Sequence, residues 1–395
     1  MLDISRLLSV MNEHDASDLY LTVDSPPMYR INGVVRPAGN RCLANTDTES
    51  LANSIMSDRQ QKDFEASNEQ NLALYYPSLG RFRVNIFRQK GCLGVVIRQI
   101  KTHIATVDDL GLPQIIKDVS MTKRGLVLVV GATGCGKSTS LAAMIDHRSS
   151  NSAGHIVTVE DPIEFVHAHK KSIITQREIG MDTESYGIAL KNALRQAPDV
   201  ILIGEIRDSE SMEAAITFAE TGHLCLSTLH SNNANQAMER IMNFFPPERH
   251  NQIYLQLSLN LRSIISQRLV RTIDGARVAA FEILLDSPRV KDLIHKAQVA
   301  DLKEAMEKGS NMGMQTFDQS LYELYRNGVI SLEEALKNAD SANNLRLRIK
   351  LNEEGENFEE KTGSKRKPHH EKKTAKTGDK EAAPVEDLKL QIDLS

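Results

Sequence analysis

Apolar and polar positions follow one rhythm up to about residue 100 and another after it. In the first stretch, residues 2–11 repeat like one face of a short amphipathic helix. Residues 19–23 alternate like a strand, and Asn32-Gly33 marks a tight turn between two more. Residues 48–66 predict a helix. Residues 72–76, 81–89 and 94–100 predict three strands, the last hairpin closing at Gln89-Lys90-Gly91. Together these predict an α+β domain over residues 1–101. Within it, alternation puts Arg81 and Arg83 on one strand face, either a solvated face or one aimed at phosphates or an interface.

Residues 102–113 read as a linker ending in Gly111-Leu112-Pro113. Then come short, nearly continuous apolar runs at 126–130, 156–159, 200–203 and 224–228, most of them separated by helical stretches. That alternation predicts a mainly parallel sheet with helices on its faces, within a core spanning 114–280. Residues 251–270 read as a helix with a core stripe of Leu257, Leu261, Ile264, Ile265 and Leu269. Residues 281–350 read as a small helical C-terminal region with few strand signals. From 351 on, charged and small residues dominate and predict a disordered tail. Its residues 387–394 alternate again, as a tethered docking peptide would.

The residues after each run carry the chemistry. The first run ends in Gly131-Ala132-Thr133-Gly134-Cys135-Gly136-Lys137-Ser138, followed by Thr139, which fits the phosphate-loop pattern at every constrained position. Such a loop turns backbone N–H groups toward phosphates at a helix N-terminus. Lys137 adds a full charge, and Ser138 a hydroxyl for Mg²⁺. Cys135 is either a small residue tolerated in the loop with no redox meaning, the favoured reading, or a thiol whose pKa the loop amides and Lys137 lower into reactivity. The second run ends in Glu160, Asp161 and Glu164, the third in Gly204 and Glu205, and the fourth in His230. Ligands of open α/β sheets bind beyond the carboxyl ends of the strands, so these groups should converge there. Many nucleotidases have an Asp at the place of Gly204. Glu205 lies beside it, and Glu160, Asp161 and Glu164 are candidates for the metal-side and base roles. His223 and His230 flank the last strand at opposite ends, so His230 is the better γ-phosphate sensor, and His223 is expected to hold an adjacent loop or face a neighbouring subunit.

Composition changes this little. The net charge of −4 supplies no basic field for nucleic acid, and no run approaches ~18 apolar residues, so membrane insertion is not expected. The cysteines Cys42, Cys92, Cys135 and Cys225 form no CxxC pair, as suits a reducing cytoplasm. No Asn-Lys-x-Asp motif argues for GTP. A nucleic-acid translocase and a slow nucleotide-binding scaffold remain the competing classes.

The phosphate loop, Val159 to Phe165, Ile203 to Asp208, and Thr221 through Ser231 resemble four motifs of the type II/IV secretion ATPases. Ala16-Ser17-Asp18-Leu19, Gly80 to Asn85 and Gly313 to Asp318 are similar to its PilT/PilU branch. Ala132 and Cys135 depart from the PilT pattern, and the sequence Arg289-Val290-Lys291-Asp292-Leu293-Ile294-His295 and the long tail look more like the PilU type. The resemblance implies an α/β fold with a PAS-like N-terminal domain, a RecA-like P-loop ATPase core and a small helical C-terminal region. It implies a homo-hexamer that hydrolyses ATP with Mg²⁺ and retracts type IV pili. Its partners would be a PilT-like ATPase and an inner-membrane platform protein, with the ring in the cytoplasm, peripheral at the inner membrane. By the same resemblance Glu164 is the catalytic base and Glu205 the second-motif acid. Glu160 and Asp161 support metal and water, His230 is the sensor, and Arg81 and Arg83 reach the phosphates in cis or in trans.

Overall fold

The structure, a computed structural model, describes residues 3–101 and 103–362. It divides into two units, the first holding residues 3–101 with 164–166 and the second beginning at residue 103.

In the first unit, α1 (Ile4–Glu13) precedes β1 (Ala16–Leu21), β2 (Met28–Ile31) and β3 (Val34–Pro37). Then come α2 (Asn45–Ile55), α3 (Asp58–Ser67), β4 (Glu69–Tyr76), β5 (Gly80–Gln89) and β6 (Cys92–Ile100). The antiparallel sheet runs β3-β2-β1-β6-β5-β4. Its buried face, with Leu19, Tyr29, Phe82, Val84 and Ile97, packs with Leu7, Leu8 and Leu51 from the helices. The single helix expected over 48–66 is two. Ser57 and Gln60 form a capping box, with the Ser57 N–H donating to Gln60 Oε1 at 2.9 Å. A reciprocal cap of this kind starts a new helix inside one polar stretch. Residues 164–166 join this unit through the Val166 N–H, which donates to the Lys101 carbonyl at 3.2 Å.

The second unit opens with α4 (Ile115–Ser120), β7 (Gly125–Val130), α5 (Lys137–Asn151), β8 (Gly154–Glu160) and β9 (Ser172–Glu178). It continues with α6 (Tyr186–Ala193), β10 (Val200–Ile203), α7 (Ser209–Glu220), β11 (Leu224–Leu229), α8 (Ala234–Asn243) and α9 (His250–Asn260). Next are β12 (Leu261–Arg271), β13 (Arg277–Leu285), α10 (Pro288–His295), α11 (Leu302–Lys308), α12 (Phe317–Arg326), α13 (Leu332–Asn338) and α14 (Ala342–Thr362). The sheet order is β13-β12-β7-β11-β10-β8-β9, parallel except for β13. Every residue of β7 and β11 is buried. Leu126, Leu128 and Val130 face one helical layer and Val127 and Val129 the other, which is why these strands read as unbroken apolar runs. Residues 103–113 are not a bare linker: Val107 and Leu112 are buried in the second layer.

Three expectations change here. The helix read over 251–270 ends at Asn260, and Leu261 begins β12, which pairs with β7. Leu261, Ile264 and Ile265 are core residues, as read, but of a strand buried on both faces. Such a strand has no period of its own to contradict a helical spacing. The sheet therefore contains β9, β12 and β13 beyond the four runs, with β13 extending to Leu285 past the boundary read at 280. Helix α14 continues to Thr362, beyond the point where a disordered tail was expected. Its Leu, Arg, Lys and Glu are all good helix formers. The docking peptide at 387–394 lies outside the described residues.

Between β8 and β9, His167 is buried, and its imidazole pKa is pushed down from the ordinary 6.5 to about 4. Desolvation of the charged ring is the main cause. The unfolded chain therefore binds this proton first as pH falls below 6.5. The contribution is fully present above that pH and is lost through pH 4, at roughly 3 kcal/mol for the full interval. Urea midpoints at pH 7 and pH 4.5 should fall further for the wild type than for His167→Phe. Equal losses would mean that His167 does not report the acid sensitivity.

Candidate functional site

Strand β7 delivers Gly131 at its carboxyl end, and α5 starts at Lys137. The loop between them leaves no room for larger residues at its two ends. A Cβ on Gly131 would lie 2.5 Å from Cys135 Sγ and 2.6 Å from the Gln267 carbonyl oxygen. Gly136, at φ 93°, would press a Cβ to 2.8 Å from Gln267 Nε2. Lys137 Nζ donates to the carbonyls of Gly131 and Ala132 at 2.8 and 3.0 Å, curling the loop around its own cation. Ser138 and Thr139 stand half-buried on the first turn of α5 beside Lys137. Thr133 and Gly134 are exposed at the loop's crown.

For Cys135 the structure favours the small, unreactive residue over the reactive thiol. Its side chain points inward and is buried, and burial raises the thiol pKa more than Lys137 and the backbone amides lower it. The thiolate is the reactive form, so this thiol is inert by comparison with the exposed Cys42. A stoichiometric maleimide should label Cys42 first and leave ATP turnover intact. Peptide mapping checks the site, and inhibition that tracks Cys135 labelling would reverse the assignment.

The strand ends meet as parallel register requires. Ile203 is opposite both Val159 and Ser227, and Leu229 is opposite Val130. Glu160, Asp161, Glu205 and His230 therefore leave the sheet at the same edge as the phosphate loop. Glu160 Oε1 accepts from Thr158 Oγ1 at 2.7 Å and from Gln176 Nε2 at 3.3 Å. Glu205 takes Arg207 Nε at 2.6 Å on one oxygen and His230 Nε2 at 3.1 Å on the other. Arg207 also reaches Asp161 at 3.5 Å. Burial, and then the charge of Lys137, lower the His230 pKa, so the ring is neutral at pH 7. With Glu205 as an acceptor, the ring proton belongs on Nε2.

His223 sits at the other end of β11, its Nδ1 3.0 Å from Thr221 Oγ1 and 3.2 Å from the Phe218 carbonyl. Its ring contacts lie in the turn there, the first of the two places expected of it. Arg81 and Arg83 lie on β5, opposite Tyr75 and Ala73 of β4. They and the exposed Glu164 belong to the first unit.

Two polar residues at this site escaped the sequence reading. Tyr186 opens α6, and its phenol oxygen lies 3.1 Å from where a Gly204 Cβ would stand. Burial and then the carboxylate of Asp161 hold that phenol protonated far above its usual range. Only the Ser185 cap marks its place in the sequence. Gln267 was hidden inside the strand read as a helix.

Among the described residues, no cluster of three or more His, Cys, Asp or Glu could hold a metal by itself. Mg²⁺ takes one or two protein oxygens beside substrate phosphates and keeps several waters. Ser138 and the carboxylates at this edge are donors of that kind. A phosphate loop at one end of a parallel sheet, with acids and a neutral histidine on the neighbouring strand ends, defines a P-loop ATPase with a RecA-like core.

The chain belongs to the type II/IV secretion system protein family, whose sequence model matches residues 3–366. It is 52% identical over 356 residues to the type IV pilus ATPase PilU of Pseudomonas aeruginosa, covering 90% of this chain and 93% of PilU. It is 43% identical to PilT of the same organism, a type IV pilus retraction ATPase, covering 87% of this chain and all of PilT. A crystal structure of the pilus retraction motor PilT with bound ADP superposes with a TM-score of 0.80 at 40% identity, over 86% of this chain and 98% of that one. No described helix is long and apolar enough to cross a membrane.

Proposed function

We propose that this chain is an accessory motor of type IV pilus retraction. It hydrolyses ATP with Mg²⁺ as a homo-hexamer and works with a PilT-like ATPase on an inner-membrane platform protein. Its place is cytoplasmic, peripheral at the inner membrane. The observation that carries the reading is 52% identity to PilU of Pseudomonas aeruginosa over nine-tenths of the chain, joined to an uninterrupted phosphate loop and acid edge.

In this reading the loop amides and Lys137 hold the phosphates, and Ser138, Asp161 and Glu205 serve Mg²⁺, which shields phosphate charge when bound. Glu164 takes the proton of the attacking water, and Glu160 orients that water. Neutral His230 reports the γ-phosphate to Glu205. The roles of Arg81 and Arg83 rest on the resemblance alone.

The accessory part follows from α10. Where PilT proteins carry Ala-Ile-Arg-Asn-Leu-Ile-Arg, this chain has Arg289 to His295. Arg289 is paired with Asp292 at 3.6 Å and Lys291 with Asp286 at 3.0 Å. Basic groups tied to local acids offer less free charge to a partner. Pilus retraction measured in single and double deletion strains tests this. Deleting this gene should weaken retraction when the PilT-like partner is present, and this chain alone should not retract. Full retraction by this chain alone would refute the accessory role.

A further inference from the structure

Ser266 of β12 is opposite Val130, the last residue of β7. Gln267 is therefore level with Gly131, the first residue of the phosphate loop. Its side chain is 4% exposed. A primary amide buried in the middle of a sheet is costly unless both its ends are satisfied. Here both partners come from the loop and its helix. Gln267 Nε2 donates to the Cys135 carbonyl at 2.7 Å, and Gln267 Oε1 accepts from Ser140 Oγ at 2.7 Å. The backbone oxygen of the same residue backs Gly131, and its amide backs Gly136. One residue thus touches the loop where it leaves the strand, where it turns into the helix, and on the first turn of that helix.

We propose that Gln267 is the positioning residue of the phosphate loop. It acts on the loop backbone, not on the nucleotide, and sets the angle at which the loop amides and Lys137 meet the phosphates. The proposal rests on the reading of this loop as the ATP site. Misplacing a binding group by about 1 Å can cost on the order of 100-fold in turnover, so a backing residue of this kind has kinetic leverage. The chain neighbours of Gln267 bond elsewhere. Ser266 donates to Glu282 at 3.0 Å, and Arg268 pairs with Asp340 at 2.8 Å.

The test uses the full-length protein with three variants. Gln267→Met keeps the volume and removes both hydrogen bonds. Its affinity for a fluorescent ADP should fall at least about tenfold, the size expected for a single lost buried hydrogen bond, with a matching rise in KM for ATP. Gln267→Glu should keep the bond from Ser140, but an ionised carboxylate cannot donate to the Cys135 carbonyl. Burial at this site raises the pKa of the new carboxyl, so its KM relative to wild type should rise with pH as the carboxyl ionises. A variant that only melts earlier, with nucleotide affinity and KM unchanged at every pH, would overturn the proposal. Lys137→Ala separates the two readings: if it binds the fluorescent ADP and turns over ATP normally, the site assignment itself fails.

Discussion

Lys137→Ala will reduce ATP turnover by at least about 100-fold, the usual cost of removing one preorganised group that stabilises transition-state charge. The reason is local. The Lys137 ammonium is held by two loop carbonyls at 2.8 and 3.0 Å, so it is fixed where phosphate oxygens would meet it. Removing it leaves the loop amides and the helix N-terminus, which carry only partial charge. The fold should survive, because the lost bonds lie within the loop. A phosphate-release assay paired with a thermal melt checks both halves. Loss of turnover together with collapse of the melting transition would mean that Lys137 is structural.

Glu164→Gln should retain nucleotide binding and lose hydrolysis by about 100- to 10,000-fold, the range for a general base. The comparison with Glu160→Gln makes this a test. Glu160 Oε1 already accepts from Thr158 and Gln176, which suits a group that orients water. A base needs an oxygen open to take a proton, and Glu164 is exposed. Single-turnover kinetics on both variants, with fluorescent ADP binding as a control, give the ranking. If Glu160→Gln abolishes the chemical step and Glu164→Gln does not, the two roles exchange.

The parts of the site legible in the sequence were those written in local patterns. Glycine spacing marked the loop, and the residues just after four apolar runs marked the edge, because parallel strands end together. The Asn32-Gly33 turn was legible for the same reason, as Asn32 and Gly33 both adopt positive φ. What failed depended on distant neighbours. Leu261, Ile264 and Ile265 carry a helical spacing, and only insertion of β12 beside β7 makes them a strand. Gln267 was lost with that error. Tyr186 acquires its meaning from Asp161 and Gly204, which its own surroundings in the sequence do not mention. Cys135 stayed open between two readings because charge near a thiol is visible in sequence, whereas burial is not.

The support that β12 gives the loop also has a history in time. The amide that braces the Cys135 carbonyl lies 132 residues further along the chain. On a ribosome adding about 5–20 residues per second, the loop exists for many seconds before its brace is made. Contacts so distant in sequence form late, since closing a long loop costs entropy before any contact rewards it. A nascent chain stopped at Asn260 has the whole glycine loop and helix α5 but no β12. It should not retain immobilised ATP, and one extended through Leu285 should. Nucleotide capture by this fold is therefore a late event of synthesis, although its signature is among the first things the core's sequence spells out.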